Sequence, residues 1–250
     1  MRALVTNDDG IESAGLATLA SVAVAAGLDV IVAAPEKVHD GSSASLTALQ
    51  PNGRLDIRQQ PLPGLAETRA LVVRASPALI TLAAAQGAFG APPDVVLSGI
   101  NRGPNTGHAV LHSGTVGAAL TARTQGISAL AMSSVEPDPR CWDTCEEVTR
   151  RSLTWLLDHL GSEPVTLSVN IPDVPLRQFR GLRSAHLATF GTVQTEIGET
   201  SDEYVTITHR AIDTDAEPDT DAALLKDGWA PVTALAALCE ASDVDLTDLN

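Results

Sequence analysis

Short apolar runs recur along this chain at 3–6, 28–34, 94–98, 127–133 and 165–171, and longer segments of helical period lie at 13–26, 77–88, 116–125 and 144–160. A strand that is apolar throughout has no face left for water, so it belongs inside a parallel sheet with helices above and below. The punctuation agrees with this reading. Gly27 stands where a helix C-terminus needs it, and Pro35 ends the second run, so 3–34 reads as a βαβ unit.

Past Ser134 the texture changes. The stretch VEPDPRCWD reads as a loop, and 179–213 contains alternation such as Tyr204-Val205-Thr206-Ile207-Thr208, which suits antiparallel ribbons better than a parallel core. The polar segment DTDAEPDTDAA reads as a turn-rich loop, and 232–241 as a last helix. There is no internal repeat.

Charge narrows the partners. With 31 acidic against 16 basic residues and a formal charge of -15, the chain is poorly suited to a nucleic-acid duplex or an anionic membrane surface. No apolar run reaches the ~18 residues of a membrane span, and the N-terminus turns acidic too soon for a signal peptide, so a cytoplasmic location is expected. Cys141, Cys145 and Cys239 form neither a zinc-ribbon nor a redox pattern and are expected to be inert thiols.

Ligands of parallel sheets collect at the carboxyl ends of the strands, and three polar clusters fall there: Asp8-Asp9 after the first run, 40–47 (DGSSASLT) after the second, and 98–105 (SGINRGPN) after a later one. Two adjacent carboxylates repel each other unless a cation sits between them, and such oxygen ligands suit Mg²⁺ or Mn²⁺ better than zinc. The alternative is a polar turn that caps the next helix. There is no GxGxxG after the first run, which argues against a dinucleotide. A phosphate has a possible seat at His112-Ser113-Gly114-Thr115-Val116, where small and hydroxyl residues precede an Ala-rich helix, although an ordinary Ser/Thr N-cap explains the same residues.

Taken together these clusters resemble the stationary-phase survival protein SurE family of metal-dependent nucleotidases. The matching stretches are TNDDG at 6–10, AP-x4-DG-x-S-x-SLT at 34–47, PDVVLSGINRGPNTG at 93–107 and HSGTVGAAL at 112–120, continuing more weakly through SVNIP at 168–172 and TD-x6-GWAPVTAL at 220–235. The resemblance implies an α/β, Rossmann-like three-layer α/β/α fold: a catalytic core over 1–135, with 136–250 completing it and adding a hairpin-rich C-terminal extension that builds a homodimer or homotetramer. It implies a phosphomonoesterase that hydrolyses nucleoside 5′-monophosphates, and 3′-monophosphates as a further substrate class, by means of a metal-activated water. One divalent cation, Mg²⁺ or Mn²⁺, is expected per subunit, on Asp8, Asp9, Asp40 and Asn101, with Asp8 or Asp9 also orienting or deprotonating the water. Asn105, Ser113, Gly114 and Thr115 are expected to hold the phosphate.

The chain departs from the family pattern at three places. Asp40 occupies the column where the family usually has a serine, and is favoured as the ligand over Ser42 or Ser43 because the column aligns without a gap. His108-Ala109 replaces two aspartates, and His112 a tyrosine. A histidine there is a proton donor beside the phosphate or, more commonly, a solvent-facing side chain. Two rivals explain an acidic pair after a first strand. A haloacid-dehalogenase-like phosphatase with an aspartyl-phosphate intermediate spaces its acids DxD, whereas these are adjacent. A non-catalytic receiver-like regulator is about half this length and needs a phospho-accepting aspartate where Ser98-Gly99-Ile100-Asn101 stands.

Overall fold

A computed structural model describes residues 1–48, 54–161, 163–201, 203–211 and 217–240, the side chains of 193–196 and 209–211 excepted. Its centre is the run of strands expected from the apolar segments: β1 (Arg2–Thr6), β2 (Asp29–Pro35), β3 (Ile57–Gln59), β4 (Arg69–Val73), β5 (Val95–Arg102), β6 (Ser128–Ser134) and β7 (Thr166–Ile171). The helices α1 (Ala14–Ala25), α2 (Pro77–Ala85), α3 (Gly114–Thr124) and α4 (Trp142–Asp158) lie between them in the chain. Then come β8 (Leu182–Ser184), β9 (Val193–Thr200), β10 (Val205–Ala211), α5 (Asp221–Lys226) and β11 (Ala230–Ala234). The nine-stranded sheet runs β3-β4-β2-β1-β5-β6-β7-β11-β8, and β9 and β10 form a separate antiparallel pair.

The six strands from β4 to β7 are mutually parallel, and their side chains alternate between two apolar layers. Val5, Leu97 and Met132 pack with Leu16, Leu19, Val148 and Leu153 of α1 and α4 on one face. Leu4, Val96 and Ala131 pack with Ile80, Val116 and Ala119 of α2 and α3 on the other. This is the expected three-layer α/β/α arrangement. β1 pairs with β2 on one side and β5 on the other, so the strand order reverses direction at β1, and a crevice opens above the carboxyl ends of β1 and β5.

The C-terminal half corrects the sequence reading. The helix expected over 232–241 is absent among the described residues, which end at 240: Ala230–Ala234 is strand β11, hydrogen-bonded antiparallel to β7 and parallel to β8. Its alanines favour a helix, but the open edge of β7 offers backbone partners, and Ala230 and Pro231 are buried there. The segment read as a turn-rich loop instead supplies α5, capped by the Thr220 hydroxyl accepting from Ala223 N–H; residues 213–216 of it lie outside the described residues. Strands β3 and β4 have no counterpart in the sequence reading, and β5 extends to Arg102, so the SGIN residues end a strand rather than follow one. The alternating 204–208 stretch does form a ribbon, with Ile197, Tyr204, Val205 and Ile207 exposed on it.

Asp221 ties this half to the crevice. Its carboxylate accepts from Gly107 N–H at 2.8 Å, Ala188 N–H at 3.0 Å and Ala222 N–H at 2.8 Å, which holds the loop after β5 against the 188–191 turn. Burial pushes the Asp221 carboxyl above its usual range, against the pull of the three amide donors. Asp221→Ala is expected to lower unfolding stability by about 1–3 kcal/mol, because three buried N–H groups lose a charged acceptor. Asp221→Asn, which keeps one acceptor oxygen, is expected to lose less; urea denaturation of the two variants provides the comparison.

Candidate metal and phosphate site

Asp8 and Asp9 leave the end of β1 in a turn braced by Asn7, whose side chain accepts from Gly10 N–H at 3.1 Å and donates to the Gly10 carbonyl at 3.0 Å. The turn is also fastened to the β2 side, where His39 N–H donates to the Asp8 carbonyl at 2.7 Å. Asp8 is only 3% exposed. Both of its oxygens are held by the first turn of α3: Thr115 N–H donates to Oδ2 at 3.0 Å, and the Thr115 hydroxyl donates to Oδ1. Among the described residues Asp9 accepts a single hydrogen bond, from Arg102 N–H at 3.2 Å, at the end of β5.

Neither carboxylate takes part in an ion pair among the described residues. Burial raises the Asp8 carboxyl above its usual range, opposed by the Thr115 donors and reinforced by the charge of Asp40. Asp9 is pushed from 3.8 up to about 7, mostly by burial and then by the charge of Asp8, with Asp40 adding to it. The pair is a concentration of negative charge that the protein's own cations offset only in part, through the charge of Arg102 near Asp9.

Asn101 ends β5 beside them. Its Nδ2 donates to the Gly103 carbonyl at 2.8 Å, and Oδ1 has no donor among the described residues. The loop after β2 closes the other side. Two glycines of α3 admit it: a Cβ on Gly117 would lie 2.1 Å from the Ser43 carbonyl oxygen, and one on Gly114 would lie 2.5 Å from Ser42 Oγ and 2.7 Å from Asp8 Oδ2. Ser42 Oγ is buried without a hydrogen-bond partner among the described residues and faces the same point as the Asp8 carboxylate. Asp40 is exposed at the rim. Its charge reaches both carboxylates, but among the described residues no three His, Cys, Asp or Glu side chains gather closely enough to hold a metal by themselves.

The oxygens that could hold a cation here are therefore two carboxylates, an amide oxygen and an orphaned hydroxyl, all hard donors of the kind that suit Mg²⁺ or Mn²⁺.

The residues expected to hold phosphate divide into two groups. In the α3 turn, Ser113 Oγ accepts from Val116 N–H at 3.1 Å as an N-cap and keeps its own proton free, while the Gly114 N–H has no partner among the described residues. Thr115, by contrast, spends both donors on Asp8. Asn105 sits over β6 and β7, where Nδ2 donates to Ser133 Oγ at 2.8 Å and its backbone exchanges two hydrogen bonds with the Asn170 side chain, at 2.9 and 2.8 Å. Ser133 and Asn170 had no role in the sequence reading, although Asn170 lies within the SVNIP stretch. His108 and His112 are exposed on the 3₁₀ turn Gly107–His112, the solvent-facing arrangement.

Comparison with known proteins resolves the ancestry of this arrangement. The family model described as "Survival protein SurE" matches residues 3–193, which carry the acidic pair, the β2 loop, Asn101 and the α3 turn. The chain belongs to the SurE family. It is 35% identical over 250 residues to the 5′/3′-nucleotidase SurE of Edwardsiella ictaluri, covering 99% of this chain and 91% of that one. It is 33% identical over 238 residues to the 5′-nucleotidase SurE of Legionella pneumophila, covering 94% and 90%. The SurE crystal structure from Aquifex aeolicus superposes with a TM-score of 0.81 at 26% identity, covering 98% of this chain and 96% of that one.

The raised carboxyls carry a pH signature. Between about pH 4 and about pH 7 the folded chain retains protons that the unfolded chain has released, so without a cation stability is expected to fall as pH rises through that window. A divalent cation competes with those protons. The melting temperature in chelator is expected to drop from pH 5 to pH 8, and added Mg²⁺ or Mn²⁺ is expected to raise it more at pH 8 than at pH 5; equal cation-induced shifts at the two pH values would remove the pair from the cation site.

Proposed function

We propose that this SurE-family chain is a metal-dependent nucleotidase of the cytoplasm, which hydrolyses nucleoside 5′-monophosphates, and 3′-monophosphates as well, to nucleoside and phosphate. The observation that carries the reading is the acidic pair, Asp8 buried and Asp9 half-buried, its charge only partly offset by Arg102, meeting the N-terminal turn of α3 at the mouth of the crevice. The names of the relatives, 5′-nucleotidase and 5′/3′-nucleotidase, support the substrate class. An aspartyl-phosphate route is not favoured, since Asp8 has both oxygens held by Thr115 and the acids are adjacent rather than spaced DxD.

One Mg²⁺ or Mn²⁺ per subunit fits Asp8, Asp9 and Asn101, with Ser42 supplying the oxygen nearest Asp8 and Asp40 adding negative charge from the rim. A cation there supplies neutralisation of the phosphoryl oxygens and makes water more acidic. Around it, the residues divide the work. Thr115 locks Asp8 in one orientation. Asp9, with one hydrogen bond to the protein, is the carboxylate free to orient the attacking water or take its proton. Gly114 N–H and the Ser113 hydroxyl, at the positive end of α3, receive the phosphate oxygens, and Asn105 adds an amide donor held in place by Ser133 and Asn170. The exposed β9–β10 ribbon is the proposed pairing surface of a homodimer or homotetramer.

Chelation is expected to abolish hydrolysis of nucleoside monophosphates, and Mg²⁺ or Mn²⁺ to restore it; Asp9→Asn is expected to lose turnover by orders of magnitude without unfolding. Full turnover in metal-free protein would end this reading. Metal titration of activity then separates the neighbouring residues. Ser42→Ala is expected to shift the activation curve to higher metal by about tenfold, and Thr115→Val to do the same with phosphate inhibition at saturating metal unchanged. Asp40→Ser is expected to raise the metal requirement less than Ser42→Ala, and to lower the Michaelis constant at saturating metal by easing repulsion of the dianion. A larger metal shift in Asp40→Ser than in Ser42→Ala would make Asp40 the direct ligand.

A further inference from the structure

Beside Asn101, a second cleft of about 210 Å³ opens between the start of α1 and the loop that joins β6 to α4. Asn101 lines it, so it is continuous with the proposed cation site. One wall is apolar and partly aromatic, made by Ile100, Pro139 and Trp142. The other carries Glu12 and the Ser13 hydroxyl, whose oxygen is buried with no hydrogen-bond partner among the described residues and makes no capping bond to its own helix.

The outer loop of the cleft is held at both ends. Arg102 donates to the Pro137 carbonyl at 3.1 Å and to Asp138 at 3.2 Å, while its own N–H donates to Asp9. At the far end Asp173 accepts from Arg140 N–H and Cys141 N–H, each at 2.9 Å. The wall bearing Trp142 is thereby fixed relative to the acidic pair.

We infer that this cleft receives the nucleoside part of the substrate, with Trp142 and Pro139 as the face for a ring and Ser13 and Glu12 as partners for ribose hydroxyls. The inference rests on the nucleotidase reading above and names the subsite next to the phosphate. Its chemistry selects a neutral group: the Arg102 cation at the cleft is paired with Asp138, which leaves Glu12 to repel a second anion, whereas a carboxylate and an orphaned hydroxyl suit a sugar that both donates and accepts. A ring with a π-face suits an indole wall. The volume is below the ~300 Å³ of a pocket for a complete drug-sized ligand, consistent with a seat for part of a nucleotide whose phosphate lies outside it.

The test compares substrates that share the phosphate and differ in the leaving group: the four common ribonucleoside 5′-monophosphates, and glycerol phosphate, which has no ring. Ala14 lies at the cleft and is exposed, so Ala14→Phe fills it without disturbing the core. Ser13→Ala removes a hydroxyl that caps nothing, and Trp142→Ala removes the aromatic wall. Ala14→Phe and Trp142→Ala are expected to raise the Michaelis constant for nucleotides about tenfold or more, and Ser13→Ala severalfold, with kcat/KM for glycerol phosphate and the metal activation curve unchanged. Unchanged nucleotide Michaelis constants in Ala14→Phe and Ser13→Ala would overturn the subsite while leaving the nucleotidase reading intact. A wild-type protein that turns over glycerol phosphate but no nucleotide would overturn the nucleotidase reading itself.

Discussion

The structure around the crevice depends on one buried contact, the grip of Thr115 on Asp8. A carboxylate at 3% exposure is costly to ionise, and two donors from a single residue of α3 meet that cost in part. For the contact to form, the start of α3 must reach the end of β1. Val116 and Ala119 seat the helix on the sheet, and the absence of side chains at Gly114 and Gly117 lets Ser42 and the Ser43 backbone close over it. The β2 loop, the first strand and α3 thus meet at one point because a single carboxylate is buried there.

The positive end of α3 is used in an uncommon way. Its second N–H is turned on Asp8, the third is capped by Ser113, and the first alone is left for an anion. The helix therefore stabilises the acidic pair more than it attracts a substrate. In a protein of formal charge -15, attraction of a phosphate dianion has to come from the proposed cation, and the carboxylates whose pKa values are raised are the groups that gain most from its presence. The same two acids that weaken the metal-free fold as pH rises are those through which a cation would strengthen it.

Much of this was legible in the residue order. The apolar runs located every parallel strand from β1 to β7 except β4, whose short ALVV stretch lies between less regular segments, and the acidic pair fell at a strand end as the fold class requires. The partner of Thr115 was not legible: a hydroxyl at a helix start reads equally as a phosphate donor or a cap, and its acceptor lies 107 positions away. The balance between Asp40 and Ser42 was likewise hidden, since position in a column says which residue is present but not which side chain points inward. The last helix failed for a related reason. Local propensity favours a helix for an Ala-rich stretch, but β7 had an edge to fill and β11 filled it.

What the sequence determined by itself was the alternation of buried strands and helices, the placing of polar clusters at strand ends, and through them the family. These are local properties, carried by periodicity and by residues close together in the chain. Tertiary structure decided which donors are spent inside the site and which remain for a ligand: Thr115 on Asp8, Arg102 N–H on Asp9, the Asn170 amide on the Asn105 carbonyl, with Ser42, Ser13 and the Gly114 N–H left over among the described residues. The physical reason is that a hydrogen bond saturates a donor wherever its acceptor arrives from, and the acceptors here arrive from strands that become neighbours only when the sheet is assembled.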